Sequence, residues 1–71
     1  MNFNTSGNKQ IESNNLKVLQ DQLNYECMMN KKFRQYADYC TDSSLKSLCN
    51  QAADTHKQNF NSLKSYLESH Q

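Results

Sequence analysis

The chain has 71 residues, a formal charge of +1 at pH 7 and a hydrophobic content of 35%. This length predicts one small domain, and the near-neutral charge argues against nucleic acid as the main partner. The chain has no proline and a single glycine, Gly7, a composition that long helices tolerate better than strands joined by tight turns do.

Residues 1–14 are rich in asparagine and small polar side chains, and Phe3 and Ile11 are the only large apolar residues after Met1. Such a segment buries too little apolar surface to offset its ordering entropy, which predicts a flexible polar arm. It also lacks the apolar centre of a secretory signal, and no apolar run approaches the ~20 residues needed to cross a membrane. We therefore expect cytoplasmic synthesis, no secretion and no membrane partner.

The first predicted helix covers about residues 15–40, with a cap expected from Ser13, Asn14 or Asn15. Two polar residues, Glu26 and Asn30, interrupt its apolar face. That face otherwise repeats every three or four positions, through Leu16, Leu19, Leu23, Phe33, Ala37 and Cys40. The basic cluster Lys31, Lys32 and Arg34 is interpreted as part of the solvated face.

A second helix is predicted over about residues 43–68, with Asp42 as its N-cap. Its apolar stripe contains Leu45, Leu48, Cys49, Ala52, His56, Phe60, Leu63 and Leu67. A connection of two or three residues makes the two helices antiparallel neighbours, so the predicted fold class is an all-α helical hairpin.

The hairpin pairs residues by depth, because positions whose numbers sum to about 83 lie at one level. Apolar layers then match along the hairpin: Leu16 with Leu67, Leu19 with Leu63, Leu23 with Phe60, and Ala37 with Leu45. The same rule sets Glu26 beside His56 and Asn30 beside Ala53.

Several apolar side chains flank this seam and would stay exposed in a lone hairpin: Val18, Tyr25, Met29, Tyr36 and Leu48. A second hairpin would cover them. We therefore expect a two-fold homodimer that forms a ferritin-like four-helix bundle.

Glu26 and His56 allow two interpretations. Carboxylate and imidazole ligands suit iron, manganese or zinc, and a dimer would double the set. However, Ala53 stands three residues before His56, where di-metal bundles carry a bridging glutamate. The alternative is a buried Glu–His hydrogen bond, completed by Asn30 and Asn59, that fixes helix register.

The remaining residues give no enzyme signature. Cys27, Cys40 and Cys49 are an odd set without a CxxC pair, which indicates reduced, packed thiols; an intermolecular disulfide in an oxidising assembly is the alternative. No Gly-rich phosphate loop, Ser-His-Asp arrangement or HExxH is present, so we expect a non-enzymatic protein without a cofactor.

Two parts of the sequence carry a family resemblance. The first is Leu23-Asn24-Tyr25-Glu26 with Lys31-Lys32-Phe33-Arg34-Gln35-Tyr36-Ala37. The second is Cys40-Thr41-Asp42-Ser43-Ser44-Leu45-Lys46-Ser47-Leu48-Cys49 with His56, Phe60 and Leu63-Lys64-Ser65-Tyr66-Leu67. Together they resemble the short two-helix members of the spore coat protein F family of endospore-forming Firmicutes, which belong to the wider ferritin-like group.

The resemblance covers residues 16–68 and implies a structural role. It implies synthesis in the sporulating cell, incorporation into the spore coat, and other coat proteins as partners. The family's glutamate and histidine positions match Glu26 and His56, whereas Asn59 stands where a second histidine often follows. The alternative that this leaves is a ferritin-like metal-binding protein with a degenerate Glu26/His56 site.

Overall fold

A computed structural model describes residues 11–70, and two helices make up most of this part of the chain. Helix α1 covers Ser13–Tyr39 and helix α2 covers Ser43–Ser69, with residues 40–42 between them. The two helices contact each other, and their three-residue connection makes them antiparallel neighbours. The predicted all-α hairpin is therefore confirmed. Residues 1–10, most of the predicted arm, lie outside the described residues.

The start of α1 differs from the prediction. The helix begins at Ser13, so Ser13 and Asn14 belong to it rather than to the arm. Glu12 is the N-cap, its side chain makes no capping bond, and its carbonyl accepts the first helical hydrogen bond from Leu16 N at 2.8 Å. The expected side-chain cap is absent here, since Asn14 Oδ1 accepts only from the adjacent Asn15 N.

The start of α2 matches the prediction. Asp42 has an extended backbone and its Oδ1 accepts from Leu45 N at 2.7 Å. This bond satisfies one of the amides that a helix leaves unpaired in its first turn. At the end of α1, Cys40 N donates to Tyr36 O at 3.0 Å and closes the last helical turn. Only residues 40–42 then separate α1 from α2.

The hairpin core is thin. The buried apolar residues of the described chain are Leu19, Ala37, Cys49 and Ala53, and no large side chain is fully enclosed. Leu45, predicted to pack against Ala37, is instead exposed. It lies about 80° around α2 from the buried Ala53, so it faces one side of the seam and not α1.

Neither α1 nor α2 has the continuous apolar length that crossing a lipid bilayer requires.

Candidate functional site

Glu26 and His56 form the central polar contact between the helices, as the depth pairing predicts. Glu26 is 7% exposed, and its Oε1 is hydrogen-bonded to His56 Nδ1. Because a carboxylate accepts, the imidazole nitrogen is the donor. The two residues are the middle residues of their helices, so the pair lies halfway along the hairpin.

Aromatic rings hold the imidazole of His56 in place. The Phe33 ring is stacked on it, with centroids 5.7 Å apart and an interplanar angle of 10°. The Tyr25 ring is edge-on to it, with centroids 5.9 Å apart and an interplanar angle of 83°. These contacts restrict the rotation of the imidazole and leave its Nδ1 pointing at Glu26. The depth rule missed both partners for different reasons. Tyr25 lies near the level of His56, but the rule gives no direction around the helix, and Phe33 lies about six residues from that level, so its ring contact runs along the seam.

The amides predicted to complete the polar layer have different roles. Asn59 Nδ2 donates to Glu26 Oε1 at 3.5 Å, a long contact. Asn30 instead donates to the carbonyl of Ala53 at 2.8 Å, across the seam. Asn30 and Ala53 are thus brought together as predicted, although Asn30 binds backbone and not Glu26.

The chemistry available at the Glu26–His56 pair is limited by its ligand count. No group of three or more His, Cys, Asp or Glu side chains placed to hold a metal ion occurs among residues 11–70. One chain offers a carboxylate and an imidazole that already bind each other. A metal ion there would need further ligands from a second chain.

A second polar contact, missed in the sequence, lies on one side of the seam. Arg34 donates to the Oδ1 of Asn50 at 3.0 Å and is ion-paired with Asp54. Arg34 and Asn50 sum to 84, so the depth rule could have found them. The charged neighbours Lys31 and Lys32 made Arg34 look like part of a solvated face.

This contact marks the side of the hairpin that we call the charged face. It consists of eight formally charged residues: Lys31, Arg34, Asp38, Lys46, Asp54, Lys57, Lys64 and Glu68. A shallow groove of about 290 Å³ opens on this side, lined by Cys27, Asn30, Arg34, Lys57, Phe60 and Asn61.

The opposite side is the second candidate site. At about 100° per residue, Val18, Tyr25 and Tyr36 lie roughly 160–180° around α1 from Arg34. Leu48 and Tyr66 lie roughly 160° around α2 from Asn50 by the same geometry. We call this side the apolar face; it consists of Val18, Tyr25, Met29, Tyr36, Leu45, Leu48, Ala52 and Tyr66.

Exposure on the apolar face is high for such side chains. Val18 is 62% exposed and Leu48 is 60% exposed. Eight large hydrophobic residues are exposed in the described chain, and only Met28 and Tyr39 of these lie off this face. Lys32, which is not one of its members, lies at the edge of this face, about 40° around α1 from Val18. The expectation that Val18, Tyr25, Met29, Tyr36 and Leu48 stay exposed in a lone hairpin is confirmed for all but Met29, which is partly buried.

No protein-family model, curated protein or solved structure matches this chain.

Proposed function

We propose that this chain is a non-enzymatic structural protein that pairs with a second copy of itself through the apolar face. The product is a four-helix bundle with two-fold symmetry. The observation that carries the proposal is that the apolar face contains no charged member, while six of its eight residues are large hydrophobic side chains exposed to solvent. A surface so depleted in charge and rich in tyrosine is typical of the centre of a protein interface.

The size of the apolar face supports a second copy as its occupant. Each 27-residue helix is about 40 Å long, and two side by side are about 20 Å wide. The face therefore offers on the order of 800 Å², which is what a standard interface buries per partner. A self-complementary face needs no second gene product, and two-fold pairing is the commonest form of assembly.

Sedimentation equilibrium at micromolar concentration tests the pairing. We expect a dimer of 8.3 kDa chains for the natural sequence. Leu48→Glu puts a charge in the centre of the apolar face and should give monomer, because burying an unpaired carboxylate is costly. Asn61→Glu adds the same charge on the opposite side and should remain dimeric. A monomeric natural chain, or the same mass for both variants, would contradict the proposal.

The more specific proposal is that this bundle is a component of the spore coat, assembled with other coat proteins after synthesis in the sporulating cell. Its support is the resemblance over residues 16–68. Fractionation of purified spores with an antibody against this chain tests it. Signal in the coat fraction is expected, and signal confined to vegetative cells would contradict it.

The second candidate function is a metal-binding bundle, favoured by the position of the buried pair. Because Glu26 and His56 lie at the middle of their helices, full overlap of two hairpins brings two such pairs to one level. Two carboxylates and two imidazoles suit iron, manganese or zinc. Metal analysis of protein purified without chelators tests it: about one ion per dimer, lost in Glu26→Gln, supports the metal function, and metal-free dimer contradicts it.

A further inference from the structure

The groove on the charged face has the composition of a small-ligand site. Its volume is about 290 Å³, and its lining combines two cations, two amides, a thiol and an aromatic ring: Arg34, Lys57, Asn30, Asn61, Cys27 and Phe60. Sites for small molecules have this combination of apolar surface and a few polar groups. Because the groove lies on the side opposite the apolar face, pairing of two hairpins through that face leaves it open.

The positive charge of the charged face is concentrated where the groove lies. Near the turn, Asp38 lies level with Lys46, and towards the other end Lys64 and Glu68 are one turn apart on α2, so opposite charges balance at both ends. The four charged residues between them are three cations and one anion: Lys31, Arg34, Asp54 and Lys57. A concave surface with an excess of one charge attracts ligands of the opposite charge.

Arg34 and Lys57 enter the groove from different helices. The guanidinium of Arg34 is ion-paired with Asp54, which lies one turn before Lys57 on α2. Asp54 therefore offsets one cation of this pair. Lys57 has no ion pair among residues 11–70, so its ammonium group is available to a ligand.

The other lining residues supply a hydrogen-bond donor and an apolar surface. Asn30 Nδ2 donates to the carbonyl of Ala53 at 2.8 Å. A side-chain amide has two N–H donors, so one N–H of Asn30 remains for a ligand. The half-buried ring of Phe60 offers a surface against which a hydrocarbon group can pack.

We propose that this groove binds a small organic anion, with its negative group between Arg34 and Lys57 and its apolar body against Phe60. Carboxylates and phosphate esters share the required chemistry, since guanidinium and ammonium groups bind both. The inference goes beyond the proposed structural role and does not depend on the dimer, so either can fail without the other.

Two aromatic anions separate the sources of the negative group. Phenyl phosphate is mainly a dianion at about pH 8, because the second pKa of a phosphate ester is about 6, and benzoate carries one charge. An open groove gives only weak affinity, and we expect a Kd for phenyl phosphate on the order of a few millimolar. Tighter binding of phenyl phosphate than of benzoate would indicate a phosphate ester as the ligand, and the reverse order a carboxylate.

The thiol of Cys27 reports on occupancy, because it lines the groove and a ligand there covers it. Trypsin releases Cys27 on the peptide of residues 18–31 and Cys40 on the peptide of residues 35–46. Cys40 lines the separate groove at the turn and serves as the internal control. At constant ionic strength, phenyl phosphate should slow the alkylation of Cys27 by iodoacetamide and leave that of Cys40 unchanged. Benzyl alcohol, which has the same ring without the charge, should protect Cys27 much less.

Three variants complete the test. Lys57→Gln removes the available cation and should raise the half-protecting concentration of phenyl phosphate by about fivefold, as expected for an exposed charge pair. Asn61→Glu, which should remain dimeric, places a carboxylate in the groove and should weaken protection at least as much. Lys64→Gln removes a cation two turns away, outside the groove lining, and should bind as the natural chain does.

Four results would overturn the inference. These are no protection of Cys27 at a concentration tenfold above the expected Kd, equal protection of Cys27 and Cys40, equal protection by benzyl alcohol, and an unchanged half-protecting concentration in Lys57→Gln. Sedimentation equilibrium on the same samples reports the oligomeric state separately.

Discussion

At the scale of single residues, Glu26 is the one buried charged side chain in the described part of the hairpin. Its carboxylate has two protein partners, His56 and Asn59. A buried acid is tolerated when its hydrogen bonds are made, and it becomes costly when a partner is removed. We therefore expect each side chain of the pair to matter for stability because it supplies the hydrogen-bond partner of the other, and not because of net attraction between them.

Replacing one member of the pair should destabilise the chain more than replacing both. We expect Glu26→Leu and His56→Leu each to lower the free energy of unfolding by about 1–3 kcal/mol, because each leaves a buried polar group unpaired. The double variant should lie within about 1 kcal/mol of the natural chain. Urea unfolding at one fixed protein concentration measures all three.

Asp54→Asn is the matched control for this cycle. It breaks the Arg34–Asp54 ion pair, whose side chains are 42% and 62% exposed, and solvent-exposed pairs contribute up to about 1 kcal/mol. Strictly additive effects of Glu26→Leu and His56→Leu would show that the two side chains are not coupled.

The thiol of Cys40 gives a prediction about pH. Its pKa is raised by burial first and by Cys49 second, so the folded chain favours the protonated thiol. Its contribution to stability is complete below 9.0, the ordinary pKa of a cysteine thiol, and is lost as the pH rises through the higher pKa of the folded state. The rate of alkylation of Cys40 can be measured by mass spectrometry of the tryptic peptide of residues 35–46, which contains it. This rate should reach half its maximum at a higher pH in native buffer than in urea. Coincident profiles would contradict the prediction.

At the scale of the helices, Asp42 fixes the start of α2. Asp42→Ala removes the acceptor for Leu45 N and should lower the free energy of unfolding by about 0.5–2 kcal/mol. Asp42→Asn keeps a good capping acceptor and should stay close to the natural chain. Far-UV circular dichroism during urea unfolding compares them, and equal losses would mean that charge and not capping matters here.

The helices show what the sequence could predict and where it failed. Apolar periodicity predicted both helices. The depth rule predicted the Glu26–His56 and Asn30–Ala53 contacts, because a short turn between two antiparallel helices fixes which residues lie at the same height along them. The rule failed for Leu45 because it gives the level of a residue and not its direction: Leu45 lies at the level of Ala37 but to one side of the seam, where it is exposed. It also missed the ring contacts of His56, because it gives no direction around the helix for Tyr25 and because the ring of Phe33 reaches His56 from about six residues away in level.

At the scale of the whole molecule, the thin core and the exposed apolar face belong together. A lone hairpin leaves most of its large side chains partly exposed, which is a poor basis for an independently stable fold of this size. Pairing would supply the missing burial, so folding and association should be coupled.

Coupled folding makes thermal stability depend on concentration. We expect the Tm of the natural chain to fall by about 4 °C for each tenfold dilution, because dilution favours the dissociated state. Asn61→Glu should show the same slope, and Leu48→Glu should show a lower Tm with no slope. Differential scanning calorimetry over a dilution series measures this, and a concentration-independent Tm for the natural chain would exclude coupled folding.

Glu26 and His56 lie halfway along their helices. If one hairpin of a dimer is rotated end over end against the other, the two Glu26–His56 pairs therefore remain at the same level. The pair can fix the axial register of the two copies, but it cannot fix whether the two turns lie at the same end or at opposite ends of the dimer. The orientation must then depend on the exposed side chains near the two ends of the hairpin. These are Leu45 and Leu48 near the turn, and Val18 and Tyr66 near the opposite end. Exchanging the large and small side chains between these two ends should therefore be enough to invert the relative orientation of the two hairpins without changing the helices.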